Sequence, residues 1–428
     1  LLTVDQIIYA MESAVIQWSR QVQAVLKRES SQPLLQGENS TPKVELEFWK
    51  SRAEDLEHIH NQLRTIKVRG LARLLDKLQS SYFPALQALC RDVGAALTEA
   101  QDIWTHLMPL SHHLEILESL EFPEVKPRLL PLLHVVCLIW AMCPSYRSPG
   151  RLTVLLREIC NLLIQQASNY LSPEGFLRSE VEESQRKLRV AVNTLNFFKQ
   201  MFQERREHLH TYFKENQEVK EWDFQSSLVF VRLDGFLGRL LMVQDLLKTA
   251  LDFHKLEKLE FSGIRGSALS RQVQQMYDEF QEMYRVFTEA SYDCLDPQNT
   301  EFENDVSEFH RRVEDLDRRL GSVFIQAFDD APGLEHAFKL LDMAGKLLER
   351  PLIAQDASEK YLLLIQMFNK DLDTARVIYG QRVQEEAELG FAAVHKNMPT
   401  VAGGLRWAQE LRQRIQGPFA NFRRIAHA

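Results

Sequence analysis

Thr300-Glu-Phe-Glu-Asn-Asp-Val-Ser-Glu-Phe-His-Arg-Arg-Val-Glu-Asp-Leu-Asp-Arg-Arg-Leu-Gly-Ser-Val-Phe-Ile-Gln-Ala-Phe-Asp329 is the most regular stretch of this 428-residue chain. Phe302, Val306, Phe309, Val313, Leu316, Leu320 and Val323 follow one another at alternating spacings of four and three. A strand would need a period of two, whereas this spacing keeps one stripe on one face of a helix. Three unbroken heptads predict a long helix over 299–328. Phenylalanine at seam positions suits the thick core of an antiparallel bundle better than a free two-stranded coiled coil.

The same rhythm extends in both directions. Val4, Ile7, Ile8, Met11, Val15, Trp18, Val22 and Val25 trace a first apolar stripe, and Leu46, Trp49, Ala53, Leu56, Leu63 and Ile66 a second. That second pattern runs on to Leu78, with Gly70 a candidate kink. Prolines 84, 109, 123, 127 and 131 suggest shorter helices near 85–107, 110–119 and 128–142. Leu152–Tyr170 resumes the pattern. Ser172-Pro173-Glu174 has the form of an N-cap with proline at the first position, starting a helix that runs to about 215. Ser227–Leu233 is β-branched and aromatic, but Phe236, Leu237, Leu240, Leu241, Val243 and Leu247 continue it at helical spacing, so it is assigned to helix. Further helices are expected from Leu269 to Phe287, at 334–349, at 357–395 and over Leu405–Ile415, with a loop at Pro399–Gly404. Polar joints fall at Cys143–Gly150, Lys214–Asp223 and Phe261–Ser267.

Composition agrees. Only 17 glycines and 15 prolines occur, too few for the frequent turns of a sandwich or barrel. The expected fold is all-α, an elongated stack of helical bundles with long antiparallel helices. We divide it into first bundles at 1–143, a middle bundle at 144–262 and C-terminal bundles at 263–428. No repeat of solenoid type is visible.

Net charge is −8. The basic pairs Arg205-Arg206, Arg311-Arg312, Arg318-Arg319 and Arg423-Arg424 are scattered, so no nucleic-acid or membrane partner is expected. The five cysteines include no Cys-x-x-Cys pair and read as reduced, buried thiols. The sequon at Asn39 is read as chance. The apolar run Leu129–Cys143 contains Pro131 and His134 and falls short of the roughly 20 residues of a membrane span, so it is read as a core helix. The chain starts at Leu1 and is helical in pattern by Val4, and it ends just after another helix. It is expected to be a piece of a longer protein.

A search for chemistry returns little. No phosphate-cradling Gly-x-x-x-x-Gly-Lys motif occurs, nor a dinucleotide-type glycine loop. Gly263-Ile264-Arg265-Gly266 matches the short loop of an RNA-binding KH module but lacks its strands, and reads as a helix joint. His58/His60, His112/His113 and His208/His210 are spaced by one or two, which does not place both rings on one helix face. No catalytic residue, cofactor-binding residue or metal ligand is assigned. Trp49 and Trp140 lie in apolar stripes and are assigned to the core. Trp222, in Glu221-Trp222-Asp223, and the pair Arg406-Trp407 stand beside joints and charge. They are the candidate protein-interface residues, with packing on a neighbouring helix as the alternative.

Gln32-Pro33-Leu34-Leu35-Gln36-Gly37, Pro42 and Glu45-Leu46-Glu47-Phe48-Trp49-Lys50-Ser51-Arg52 open a set of ordered phrases. It continues with Phe302–Val306, Arg311, Leu316, Arg319-Leu320, Ala327-Phe328-Asp329, His336–Leu341 and Leu348-Glu349-Arg350-Pro351. Pro399-Thr400-Val401-Ala402-Gly403-Gly404-Leu405-Arg406-Trp407 closes it. In this order they resemble the N-terminal tail of dynein heavy chains, and the wording is similar to axonemal outer-arm chains of the beta type. The resemblance implies a non-catalytic tail segment of a very large ATP-driven, minus-end-directed microtubule motor. ATP and magnesium would belong to the motor domain elsewhere in the parent. It implies as partners a second heavy chain, intermediate and light chains and, through docking factors, a doublet microtubule. It places the chain in the cilium axoneme after assembly in the cytoplasm. The second half, from about Ser262 to Ile415, is expected to carry more of the partner surface. A helical tethering rod of the vesicle-tether kind is the alternative that periodicity alone leaves open.

Overall fold

The structure, a computed structural model, describes residues 4–27, 40–173, 175–215, 222–259, 261, 265–331, 333–389 and 397–427. Gln32–Gly37, Asn39, Glu174, most of the 214–223 joint, residues 262–264, Pro332 and the end of the helix expected to reach 395 lie outside them. The described residues are all-α, with fourteen α-helices, short 3₁₀ turns and no strand.

The backbone forms two compact units. One comprises residues 1–179, 183–244 and 293–298, the other 180–182, 245–292 and 299–428.

In the first unit α1 (Val4–Leu26), α2 (Pro42–Leu63) and α3 (Ile66–Lys77) lie on the long α4 (Phe83–Ser119). Val22, Leu63, Leu89 and Val93 form one cluster, and Val15, Leu75 and Leu86 another, with Trp18 packed against both. The break between α2 and α3 falls at Arg64–Thr65, not at Gly70. Thr65 is extended (ψ 151°) and its hydroxyl donates to the Gln62 carbonyl at 2.8 Å, closing the old helix as the new one begins.

Helix α4 corrects the expectation of two helices, since it runs unbroken through Pro109. Proline in a helix interior costs about 3 kcal/mol. Ile103, Leu107, Leu110, Leu114 and Leu117 are buried on both sides of it, and each contributes about 1.5–3 kcal/mol. Burial outweighs the lost hydrogen bond.

After the short α5 (Phe122–Val125) comes a 3₁₀ turn at Lys126–Arg128, then α6 (Leu129–Met142). By length and composition alone Phe122–Met142 is apolar enough to cross a membrane. The turn at Lys126-Pro127-Arg128 interrupts it, and Leu129, Leu132, Leu133, Val136, Ile139 and Trp140 are buried, as in a core helix. A 3₁₀ turn at Pro144–Tyr146 leads to α7 (Pro149–Leu171).

Ser172 does not start the next helix; it ends α7. Its φ of 53° is left-handed, and its N–H donates to the Ser168 carbonyl. The chain then passes Gly175 and a 3₁₀ turn at Phe176–Arg178 before α8 (Val181–Glu215) begins. The ambiguous stretch at 227–233 lies in α9 (Ser226–His254), as its outer spacing predicted.

In the second unit α10 (Gly266–Glu289) and α11 (Thr300–Asp329) run antiparallel, since Phe287 meets Phe302 while Phe280 meets Phe309. A Cβ on Gly266 would collide with the Phe261 carbonyl, so only glycine allows this close entry into α10. Asn299 caps α11, its side chain accepting the Phe302 N–H at 3.0 Å. Every seam residue from Phe302 to Val323 is buried, between α10 on one side and α13 (Pro351–Leu389) on another.

Helix α12 stops at Ala344 (Leu334–Ala344), where Gly345 takes φ 47°, and a 3₁₀ turn completes 345–349. Helix α13 begins at Pro351, not near 357, because proline is suited to the first helical position. The expected loop at Pro399–Gly404 is instead the first turn of α14 (Thr400–His427), with the Gly403 N–H donating to the Pro399 carbonyl at 2.8 Å. Helix α14 also continues past Ile415, the expected end, and through Gly417-Pro418. Contacts beyond the proline hold it: Phe422 packs on Phe338 and Phe368, and Arg424 binds Asp342 at 2.7 Å.

Candidate functional site

The most unusual local chemistry lies at the start of α2. Glu45 stands in its first turn, yet Glu45 and Glu158 of α7 are both almost fully buried, and Tyr146 beside them is fully so. The Tyr146 hydroxyl donates to Glu45 Oε1, and Ser40 Oγ donates to Glu158 Oε1 at 3.0 Å. Asn161 Nδ2 holds the Ser40 carbonyl at 2.9 Å. One turn along α2, Trp49 lies under the Arg151 guanidinium, 5.7 Å from ring centroid to Cζ.

Burial pushes the Glu45 carboxyl up. Burial, and then the charge of Glu45, push Glu158 up to about 9. Burial also raises the Tyr146 phenol well above its ordinary value. Oε2 of Glu45 and Oε2 of Glu158 are buried without a hydrogen-bond partner, and the two carboxyls interact with each other. One proton on Glu158, donated to Glu45, satisfies both. Two ionised carboxylates at this depth would be far costlier. The pair therefore holds a proton at neutral pH. The cluster ties α2, the 144–146 turn and α7 together.

A bidentate pair plays the matching part in the second unit. Arg350 donates to both oxygens of buried Asp317 at 2.7 and 2.8 Å, with its guanidinium 5.2 Å from the Phe253 ring centroid. Phe253 stacks on Phe280 at 4.5 Å, which puts the ion pair against the aromatic core.

The three sequence-derived interface residues part company. Trp222 is only 2 % exposed and stacks on Phe202 at 5.2 Å and Phe224 at 5.9 Å. Aromatic neighbours from both sides of the joint close over it, so it is a core residue of this chain. Trp407 is half-buried and lies nearly parallel to Tyr379 of α13, 6.4 Å between centroids. Arg406 is exposed and pairs with Glu410 one turn on, at 2.9 Å.

Sequence reasoning missed a surface around them. Helices α13 and α14 are antiparallel, Asp371 meeting Arg414 at 3.1 Å while Tyr379 meets Trp407. Their outer residues include exposed Leu362, Ile365, Val377, Tyr379 and Val383 on α13, and Val401, Leu405 and Phe419 on α14. Tyr379/Val383 and Val401/Leu405 are each one turn apart, and the register brings Val383 level with Gly403. Exposed apolar groups gathered in this way mark interaction sites. The signal was the low amphipathicity of 351–389, where apolar residues occur on all faces.

A cleft of about 590 Å³ beside this pair is lined by His336, Asp371, Glu410 and Arg414, with Asp371 and Arg414 neutralising each other. A second, of about 410 Å³, opens near Ser40, Arg157 and Arg232. There Arg157 donates to the Leu228 carbonyl at 2.6 Å and Arg232 to Asn161 Oδ1 at 2.9 Å.

All five cysteines are free thiols. Burial raises Cys137 to about 11 and Cys294 to about 12, which keeps them unreactive at neutral pH. Asp102, His106 and Cys143 are the described residues whose ligand atoms gather as a metal would require, all within 4.8 Å of one another. Attention to histidine pairs passed over them; the four-residue step from Asp102 to His106 was the readable half.

Comparison with known proteins gives a family model, dynein heavy chain, N-terminal region 1, matching residues 8–428. Human dynein axonemal heavy chain 9 is 80 % identical over 421 residues, covering 98 % of this chain. The ciliary dynein beta chain of Heliocidaris crassispina is 47 % identical over the same length. The flagellar outer-arm dynein beta chain of Chlamydomonas reinhardtii is 34 % identical over 413 residues, 96 % of this chain. The chain spans about a tenth of the length of each of these relatives, 9 % in every case.

Proposed function

Because the chain belongs to the dynein heavy chain family, matched through its N-terminal region 1, we propose that it is a non-catalytic segment of an axonemal heavy-chain tail that scaffolds assembly of the outer arm. Its partners are a second heavy chain, intermediate and light chains and, through docking factors, a doublet microtubule. The parent chain, with ATP and magnesium in a motor domain elsewhere, is a minus-end-directed microtubule motor that powers ciliary beating. The chain works in the cilium axoneme, in keeping with the axonemal, ciliary and flagellar relatives it matches. The reading rests on the family match along nearly the whole chain. The exposed apolar residues of the α13–α14 pair support it, since rigid helices offer a preorganised face that lowers the ordering cost of binding. The vesicle-tether alternative gains no support from the family match.

The test is affinity capture from ciliary extract with the intact 428-residue chain as bait. Recovery of dynein heavy and intermediate chains is expected. A double variant, Val401→Asp with Leu405→Asp, should lose them while helix content stays unchanged. Recovery of no dynein subunit would overturn the proposal. Full recovery by the double variant would remove the α13–α14 pair from it.

A further inference from the structure

We propose that Asp102, His106 and Cys143 form a zinc-type metal site that clips α4 to the end of α6. Asp102 and His106 are four residues apart on α4 and so project from one face, the spacing metal-binding helices use. Cys143 caps α6 in an extended conformation, φ −91° and ψ 112°, which carries its side chain out of the helical path. It is fully buried, while Asp102 and His106 are half-buried. Solvent therefore reaches one side of the cluster.

The three ligand atoms lie within 4.8 Å of one another. Tetrahedral zinc, with bonds of about 2.0–2.3 Å, brings such atoms to about 3.5 Å apart. The closure required is on the scale of a side-chain adjustment. His106 Nδ1 stands 2.7 Å from the Asp102 carbonyl and 3.5 Å from the Asp102 carboxylate. A carbonyl only accepts, so Nδ1 carries the proton and the other ring nitrogen keeps a lone pair. A ring N–H held by a backbone carbonyl is the usual support for a ligating histidine.

The donor set selects the ion. One thiolate and one imidazole disfavour calcium and magnesium, which take oxygen ligands, and favour zinc or cobalt. Thiolate and carboxylate together cancel the charge of the dication. As the sulfur–metal bond forms, the thiol proton leaves to solvent. The ligands come from α4 and from the Cys143 end of α6, so a bound ion would cross-link the two, adjoining the Tyr146–Glu45 contact.

Cobalt(II) titration of the tag-free, chelator-stripped 428-residue chain tests this. We expect one ion per chain, with a sulfur-to-cobalt charge-transfer band and the intense visible bands of a tetrahedral site. Zinc should displace the cobalt. Cys143→Ser should abolish the charge-transfer band. Even supporting partners of a metal ligand are worth about 10–100-fold in affinity, so Asp102→Asn and His106→Gln should weaken binding by at least that much. Asp102 is half-exposed, so its variant keeps the test meaningful if Cys143→Ser misfolds by circular dichroism. Absence of the band in the parent chain, its persistence in Cys143→Ser, or unchanged affinity in Asp102→Asn would each overturn the site.

Discussion

Replacing Glu158 by glutamine should change how stability of the first unit responds to pH. The neutral Glu158 carboxyl bridges to Glu45, and its pKa of about 9 stands well above the ordinary 4.5. A carboxyl raised in the native state binds a proton there that the unfolded chain has lost. Its contribution is complete below pH 4.5 and drains away as pH climbs towards 9. Within that window one group gives a slope of about 1.4 kcal/mol per pH unit, so between pH 6 and 8 the loss is on the order of 2–3 kcal/mol. Glutamine keeps the shape, donates its N–H to Glu45 Oε2 and accepts from Ser40, but has no proton to lose. Glu158→Gln should sit near the parent at pH 6 and above it at pH 8. Amide hydrogen exchange in α2 and α7, corrected for intrinsic chemistry, reads the local opening energy at both pH values. Groups elsewhere cancel in the difference. Parallel pH dependence in the parent and the variant would refute the shared-proton reading, whatever their absolute stabilities.

Four further outcomes follow from the packing. Phe309→Ala should destabilise the second unit by about 3–5 kcal/mol in chemical denaturation, since the ring is buried between Phe280 and Phe287. Asp317→Ala should cost a similar ~3–5 kcal/mol because it strands the Arg350 guanidinium beside Phe253. Trp407→Ala should lower stability by loss of the Tyr379 contact, whereas Arg406→Ala, which breaks only an exposed pair with Glu410, should stay within ~0.5 kcal/mol; an equal effect of the two would contradict their different burial. The isolated chain should neither bind nor hydrolyse ATP, and turnover that co-purifies with it through every step would contradict the non-catalytic proposal.

Fold class was legible because burial acts on periodicity. The Phe302–Val323 seam appears in the structure as seven buried residues on one face of α11. What misled was punctuation. Pro109, Gly403-Gly404 and Gly417-Pro418 read as stops, but each lies in a helix held by side chains beyond it, and those contacts are tertiary. Ser172-Pro173 misled for another reason: serine before proline is common at helix starts, while the left-handed φ that makes Ser172 a helix end is invisible in residue type. The interface candidates divided along the same line. Position beside a joint singled out both Trp407 and Trp222, but it could not show that Trp407 lies on Tyr379 or that Phe202 and Phe224 close over Trp222.

The polar centres were illegible for a deeper reason. Tyr146 and Glu45 are separated by 101 residues, Ser40 and Glu158 by 118, and Arg350 and Asp317 by 33. Periodicity tells which face of each helix is apolar but not which faces meet, and apolar faces are nearly interchangeable as partners. A buried carboxyl is not interchangeable: a shift of one turn would leave Glu45 without Tyr146, or Asp317 without Arg350, at a cost of several kcal/mol. Such contacts penalise wrong registers more than they reward the right one. For a chain proposed to work by presenting rigid surfaces, that is a functional property. Partner-binding residues on α13 and α14 keep a fixed spacing only if the helices beneath them cannot slide, and the Asp317–Arg350 pair lies at the α11 face and the entry to α13 where sliding would begin. Asp317→Asn, which keeps the shape but weakens the pair, is therefore expected to reduce dynein-subunit capture more than its loss of stability alone explains. Equal capture by a variant of matched stability altered elsewhere in the core, such as Val313→Ala, would show that register is held by apolar packing after all.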